Sequence, residues 1–411
     1  MAASGASAAG WRLPRHELAL LVATVAVFVV TGWLDPNHTY FTTWAESRDI
    51  ILRNTALLGI IALGAAVVII SGGIDLSAGS MVAFSATTCG LILTLCSAPD
   101  DRRLVTVGPA GIAAAVGGAI VSGLLVGTLH TWLITAIRLP PFVATLATLV
   151  GLRSFARAMC LFVTRERWGS ESQQINVNTP FFAWLKEHNV WVMTGTFLVL
   201  AAVTWLILSR TVLGRHLYAV GGNQQAARLS GIRTENVSWF AYCFGSVTAA
   251  LAGVFLMADS SVAQPGTLAR GYELNAIAAA VVGGCSLQGG VGTVSGTVLG
   301  ALFLRVVIDA VSKLIKASAD VYEGMIVGII VALAVTFTQV GRFSGGRTLF
   351  PGLRGLAAIP AIAIFAGLLA MMGAANVEPL RGRTAAFGVG VGLVVLAALA
   401  VLRRLEAGRP S

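Results

Sequence analysis

The chain has 411 residues, of which 56% are hydrophobic and 11% charged, with 47 glycines besides. So few charged side chains cannot cover the surface that so much hydrocarbon would leave, which excludes a soluble enzyme and a disordered protein. The net charge of +10 does not by itself indicate nucleic acid, because basic residues also gather where membrane proteins meet the cytoplasm.

A membrane span needs roughly 17–25 mostly apolar residues to cross about 30 Å of hydrocarbon. Residues 1–16 are small and polar, with Arg12 and Arg15 just before an apolar run from Leu18 to Leu34. That run is long for a signal-peptide core and no small-residue cleavage pattern follows it, so it is expected to stay as the first helix. Further candidates follow at 50–71, 78–96, 109–137, 141–164, 190–208, 238–258, 273–289, 291–311 and 321–340. The stretch 273–289 is short and broken by glycine, the pattern of a re-entrant segment. Residues 341–355, rich in Gly, Arg and Phe, form a linker to two more apolar runs, 356–374 and 385–402, before the tail 403–411. The expected fold is an all-α polytopic membrane protein. It has about ten core helices over 17–340, with broken or re-entrant segments, and a two-helix C-terminal extension over 356–402.

Threading these spans with the N-terminus inside places 72–77, 138–140, 209–237, 286–290, 341–355 and the C-terminus inside as well. Arg210, Arg215, Arg228 and Arg233 crowd one short loop against a single acid, Glu235, and this cluster sets the orientation. Four arginines fall within spans: Arg53, Arg153, Arg157 and Arg305. Each needs a partner or a route to water. Arg53 and Arg157 can reach an interface, whereas Arg153 lies deeper and is the functional candidate.

Two glycine-rich stretches echo each other. GGIDLSAGSM, Gly72–Met81, and GGCSLQGGVG, Gly283–Gly292, share three glycines and a leucine at equal offsets. Paired helix breaks of this kind flank the pathway in many transporters, although glycines also simply let helices pack closely. Gly72, Gly73, Asp75, Ser77, Gly79, Gly283, Gly284 and Gly296 are the pathway candidates on this reading. Asp75 or Ser77 can also be read as a cap on the helix that follows. In the basic loop, Gly221, Gly222 and Asn223 read as a turn, and Gln224–Leu229 as a short helix ended near Gly231.

Other chemistry is missing from the sequence. The three lysines, Lys186, Lys313 and Lys316, end no phosphate-binding loop, so any ATP hydrolysis belongs to another chain. The five histidines are scattered without metal-ligand spacing, and the five cysteines form no CxxC pair. No catalytic cluster is legible, and neither a cofactor nor a metal is expected on this chain.

Three segments carry a resemblance: SGGIDLSAGS (Ser71–Ser80), YAVGGNQQAARLSGI (Tyr218–Ile232), and AQPGTLARGYELNAIAAAVVGGCSLQGGVGTVSGTVLGAL (Ala263–Leu302). In this order the chain resembles the permease subunit of ribose/xylose-type bacterial sugar ABC importers. The resemblance implies a permease core of two copies, or of this chain and a paralogue, embedded in the lipid of the bacterial inner membrane. It also implies a cytoplasmic ATPase that carries ATP and Mg, a periplasmic sugar-binding protein, and a ribose- or xylose-like substrate. The loop at 209–237 would then face the ATPase through Gly222, Asn223, Ala226, Ala227, Arg228, Leu229 and Gly231, with Ala227 at a close contact. The sequence departs from the family pattern at Asn275, where relatives often have Asp, and at Ala78, Cys285 and Val291. The extension past 340 has no family counterpart. Two alternatives stay open, a secondary transporter and an ABC permease for another small solute such as a furanose-type signal.

Overall fold

The computed structural model describes residues 15–315, 323–330, 332, 352–374 and 382–407. The chain divides into two compact units, one of residues 1–33 and 37–307, the other of 34–36 and 308–411.

The first unit is a helical bundle. Its helices are α1 (Arg15–Leu34), α2 (Thr39–Thr42), α3 (Trp44–Ile70), α4 (Ala78–Cys96), α5 (Pro109–Thr135), α6 (Pro141–Trp168), α7 (Pro180–Glu187), α8 (Asn189–Arg210), α9 (Val212–Gly222), α10 (Gln224–Leu229), α11 (Thr234–Ser260) and α12 (Tyr272–Val282). α13 (Val294–Ile315) begins in this unit and ends in the other. α5, α6 and α7 open on proline, which needs no amide partner in a first turn. α4 and α5 carry no charged residue and are apolar on every face, as helices are when lipid or other helices surround them, whereas α13 carries Arg305, Asp309 and Lys313 along one face. α3 is the core: every residue from Thr55 to Ile70 is buried, packed among α8, α11 and α12. α5 and α11 meet through small residues; a methyl group on Gly127 would stand 2.5 Å from the Cα of Cys243.

At one end of this unit, three loops are tied together. Strands β1 (Ile175–Asn176) and β2 (Val262–Ala263) pair antiparallel, Ile175 opposite Ala263. Asn178 N–H donates to Arg103 O at 3.1 Å, and Arg167 donates to Ser97 O at 2.7 Å.

Nine helices among the described residues are long and apolar enough to cross a membrane. They correspond to nine of the twelve expected spans. The candidate 273–289 is different: helix α12 covers only Tyr272–Val282, about 16 Å at 1.5 Å per residue and half of the hydrocarbon thickness. The irregular stretch before it is held by Arg153, which donates to Pro265 O and Leu268 O, each at 2.9 Å. The deep arginine therefore clamps the backbone that leads into the half-helix. Arg53 has a partner: it lies 3.2 Å from Asp259, whose same oxygen accepts from Asn189 at 2.5 Å.

In the second unit, 323–330 is helical, and the rest of the candidate 321–340 lies almost wholly outside the described residues, as does most of the linker 341–355. Helices α14 (Gly352–Ala374) and α15 (Thr384–Ala407) form an antiparallel hairpin. Gly367 and Gly388 face each other at its centre, where an added methyl on Gly367 would stand 2.8 Å from Gly388 O. α15 continues five residues into the stretch read as the tail.

Candidate functional site

The two glycine stretches are two breaks between helices, and each begins with the same cap. After α3, Gly72 takes a left-handed φ of +87°, its N–H donates to Ile69 O, and Gly73 N–H reaches back to Val68 O, both at 2.9 Å. After α12, Gly284 takes φ +97°, its N–H donates to Val281 O, and Cys285 N–H reaches back to Ala280 O, again at 2.9 Å. Each set is a Schellman cap, which satisfies carbonyls that a helix end otherwise leaves free. The caps pair Gly72 with Gly284, one residue off the gapless sequence alignment, which pairs it with Gly283. Helices resume at Ala78 and at Val294.

Asp75 and Ser77 lie inside the first break. Ser77 stands at the cap position of α4 but makes no side-chain cap bond. Instead its N–H and hydroxyl both donate to Asp75, at 2.8 and 2.6 Å. Gly79, one turn on, packs against Glu273 and Ala269 O at the start of α12. Gly283 and Gly296 lie backbone to backbone, closing the end of α12 onto the first turn of α13. The pathway candidates thus fall in two groups, each at a close helix approach.

The basic loop forms an ordered arm. α9 is capped by Thr211 and runs through Gly221 and Gly222, which are helical rather than a turn. Asn223 then accepts from Ala226 N–H at 2.9 Å, capping α10. Gly231, at φ +84°, ends α10 with a third Schellman cap, in which Ile232 N–H donates to Ala227 O at 3.1 Å. Ala227 is buried against its own chain, and Ala226 and Arg228 are exposed. Leu229 is 90% exposed, a bare aliphatic side chain at the tip. Arg228 also lines a cleft of about 460 Å³ with Arg138, Gln224 and Glu235, which brings the 138–140 turn beside the arm.

The arm and both breaks meet at one glycine junction. Gly290 N–H donates to Ile70 O at 2.9 Å, joining the second break to the last carbonyl of α3. Gly221 is wedged between them: a methyl group on it would overlap Ile70 O and stand 2.6 Å from Gly290 N. A methyl on Gly289 would stand 2.8 Å from Gly72 Cα. Tyr218, one turn earlier on α9, donates to Gly292 O at 2.8 Å. Burial, then the neighbouring Cys285, pushes its phenol up, which keeps it a donor.

Two features here have no signal in the sequence. His16 Nε2 bonds Val282 O at 2.9 Å, and the buried Glu17 accepts from Thr293 and Ser295 at 2.9 and 2.7 Å, so the start of α1 clasps the second break. Beside the first break, His130 is fully buried, bonds Thr148 at 2.7 Å, and meets Tyr242 edge-on at 6.0 Å. A methyl group on Gly73, in the break itself, would stand 2.5 Å from the Tyr242 hydroxyl. His130 and Tyr242 lie on different helices, α5 and α11, and only folding puts them together. No group of His, Cys, Asp and Glu among the described residues could hold a metal.

Against known proteins, residues 47–335 match the family model described as a branched-chain amino acid transport system permease component. The chain is 32% identical over 329 residues to the ribose import permease protein RbsC of Escherichia coli K12, covering 77% of this chain and 91% of that protein. It is 34% identical over 322 residues to the autoinducer 2 import system permease protein LsrC of Yersinia pestis (strain Pestoides F), covering 77% and 84%. No solved structure matches it.

Proposed function

The chain belongs to the branched-chain amino acid transport system permease-component family, and on that premise we propose that it is the membrane-spanning subunit of an ATP-driven sugar importer. The glycine junction carries this reading. One exposed arm touches both helix breaks through Gly221, Gly222 and Tyr218, so a force applied to the arm reaches both breaks directly.

The chain supplies the hydrophobic envelope and two broken helices but has no phosphate-binding loop of its own. A change of access needs something that binds two states unequally. A cytoplasmic ATPase, holding ATP and Mg and docked on α10, supplies that bias, and a periplasmic binding protein delivers the sugar at the opposite end. A second copy or a paralogue completes the core in the inner membrane. The segments 72–77, 138–140, 209–237 and 286–290 then face the cytoplasm, together with both termini. Contacts through Gly72, Arg138, Gly221 and Gly290 support placing these four segments on one side.

The substrate class is a pentose-like sugar, in keeping with the ribose permease relative. The autoinducer 2 relative favours a second reading, a furanose-type signal, and competition for uptake between the two solutes separates them.

Leu229→Asp tests the docking role, because the side chain is exposed and its loss costs the fold little. In proteoliposomes with the ATPase and binding protein, ATP-dependent uptake should fall at least tenfold, with ATPase co-purification reduced and membrane insertion normal. Wild-type uptake and co-purification in this variant would overturn the reading.

A further inference from the structure

We propose that the α14–α15 hairpin is a binding site for one anionic phospholipid, with its phosphate at Arg403 and Arg404 and one acyl chain in the groove between the two helices. The proposal requires only that the chain lies in a bilayer and is independent of which solute it carries.

The groove has two continuous parts. An apolar hollow of about 470 Å³ runs between the helices past Ala363 and Gly367. A second, of about 630 Å³, opens beside Leu356, Ala400, Arg403 and Arg404. They share Pro360 and Leu396, so one channel leads from the two guanidinium groups into the hydrocarbon. From Arg403 to Leu393 ten residues of helix span about 15 Å, half of a hydrocarbon core of about 30 Å, so one acyl chain anchored at the arginines fills the near half of the groove, which continues to Ala385.

The shape has a sequence origin. Gly367, Gly388 and Gly392 bring the backbones together and leave no side chains to fill the seam. Pro360 within α14 cannot donate its backbone nitrogen to the turn before it.

The chemistry of the lining selects the occupant. Beyond the arginine end the walls are aliphatic or glycine and alanine, with no polar group to fix a protein side chain or a sugar. An acyl chain needs none. The two cations at the mouth favour a headgroup with net negative charge, and basic side chains beside a helix end attract anionic lipid. A zwitterionic headgroup brings its own cation and gains less.

The test uses the full-length protein in phosphatidylcholine nanodiscs containing phosphatidylglycerol, with bound lipid read by native mass spectrometry after detergent exchange. Wild type should retain one phosphatidylglycerol in preference to phosphatidylcholine. R403A/R404A should weaken that retention roughly thirty-fold, the worth of two basic side chains at an anionic surface, and R403K/R404K should restore most of it. A400W, which blocks the mouth, should lower retention at least tenfold. V401W, one residue away on an exposed face outside the groove lining, should not. Equal retention of both lipids, or equal loss in A400W and V401W, would overturn the proposal. So would unchanged lipid in A400W with loss of self-association or of folded yield, because a protein surface would then occupy the groove.

Discussion

Gly221→Ala places one methyl group where three backbone segments converge. The residue is helical, so alanine is conformationally better there and gains about 1 kcal/mol of helix propensity. Against this, the methyl would overlap Ile70 O and stand 2.6 Å from Gly290 N, across the hydrogen bond that joins those two atoms. Overpacking a tight contact costs about 1–3 kcal/mol, and leaving a buried amide and carbonyl unmet costs about 1–3 kcal/mol more. The net is a penalty of about 1–5 kcal/mol confined to the junction, enough to part the arm from the breaks without unfolding the bundle. Gly195→Ala, in α8 outside the arm, is the matched control, since nothing lies within 4 Å of its added methyl. ATP-driven uptake in proteoliposomes should fall at least tenfold in Gly221→Ala and remain near wild type in Gly195→Ala, with equal folded yields by size-exclusion chromatography. Equal uptake in the two variants would refute the reasoning that the arm acts through this contact.

Glu17→Ala removes the acceptor of Thr293 and Ser295 and should speed amide exchange over 293–296, while Glu17→Gln keeps an acceptor and should change it less; equal rates would mean that the clasp is not holding the second break. Asp75→Ala leaves the buried Ser77 N–H unmet, at about 1–3 kcal/mol, and should lower the melting temperature in detergent more than Asp75→Asn does. Similar melting of the two would deny Asp75 its place in shaping the first break. Truncation after Arg354 removes nearly all of the hairpin, which packs within its own unit, and should leave uptake intact; loss of uptake would make the hairpin part of the transport machinery.

The sequence revealed what the membrane imposes. Nine spans could be read because each must be apolar over its whole length, and α10 could be read because Asn223 and Gly231 carry the chemistry of a start and a stop. The broken span at 273–289 was visible as broken, but its half-length was not, because Gly283 and Gly284 can equally end a helix or let one pack closely. The glycine stretches echo each other in their caps but one residue out of register: each opens on a Gly-Gly pair, and the left-handed member is the first in one, Gly72, and the second in the other, Gly284. Partners far apart in sequence were not legible at all. Arg53 finds Asp259 across 206 positions, and Arg153 finds two carbonyls that carry no residue-type signal. The clasp made by His16 and Glu17 fell in a segment that reads only as a polar lead-in.

The bond from Gly290 to Ile70 has a mechanical consequence. Ile70 O belongs to the end of a buried helix, where carbonyls lack partners of their own, and Gly290 N–H comes from the other break. Drawing the two breaks apart would strand a donor and an acceptor together, at a point where no single side chain could substitute for either. The two breaks therefore form one stiff node, and the node travels as a piece. Any change of access that uses this end of the chain has to tilt whole helices about the node or slide the node against a neighbouring molecule, instead of unzipping it from within.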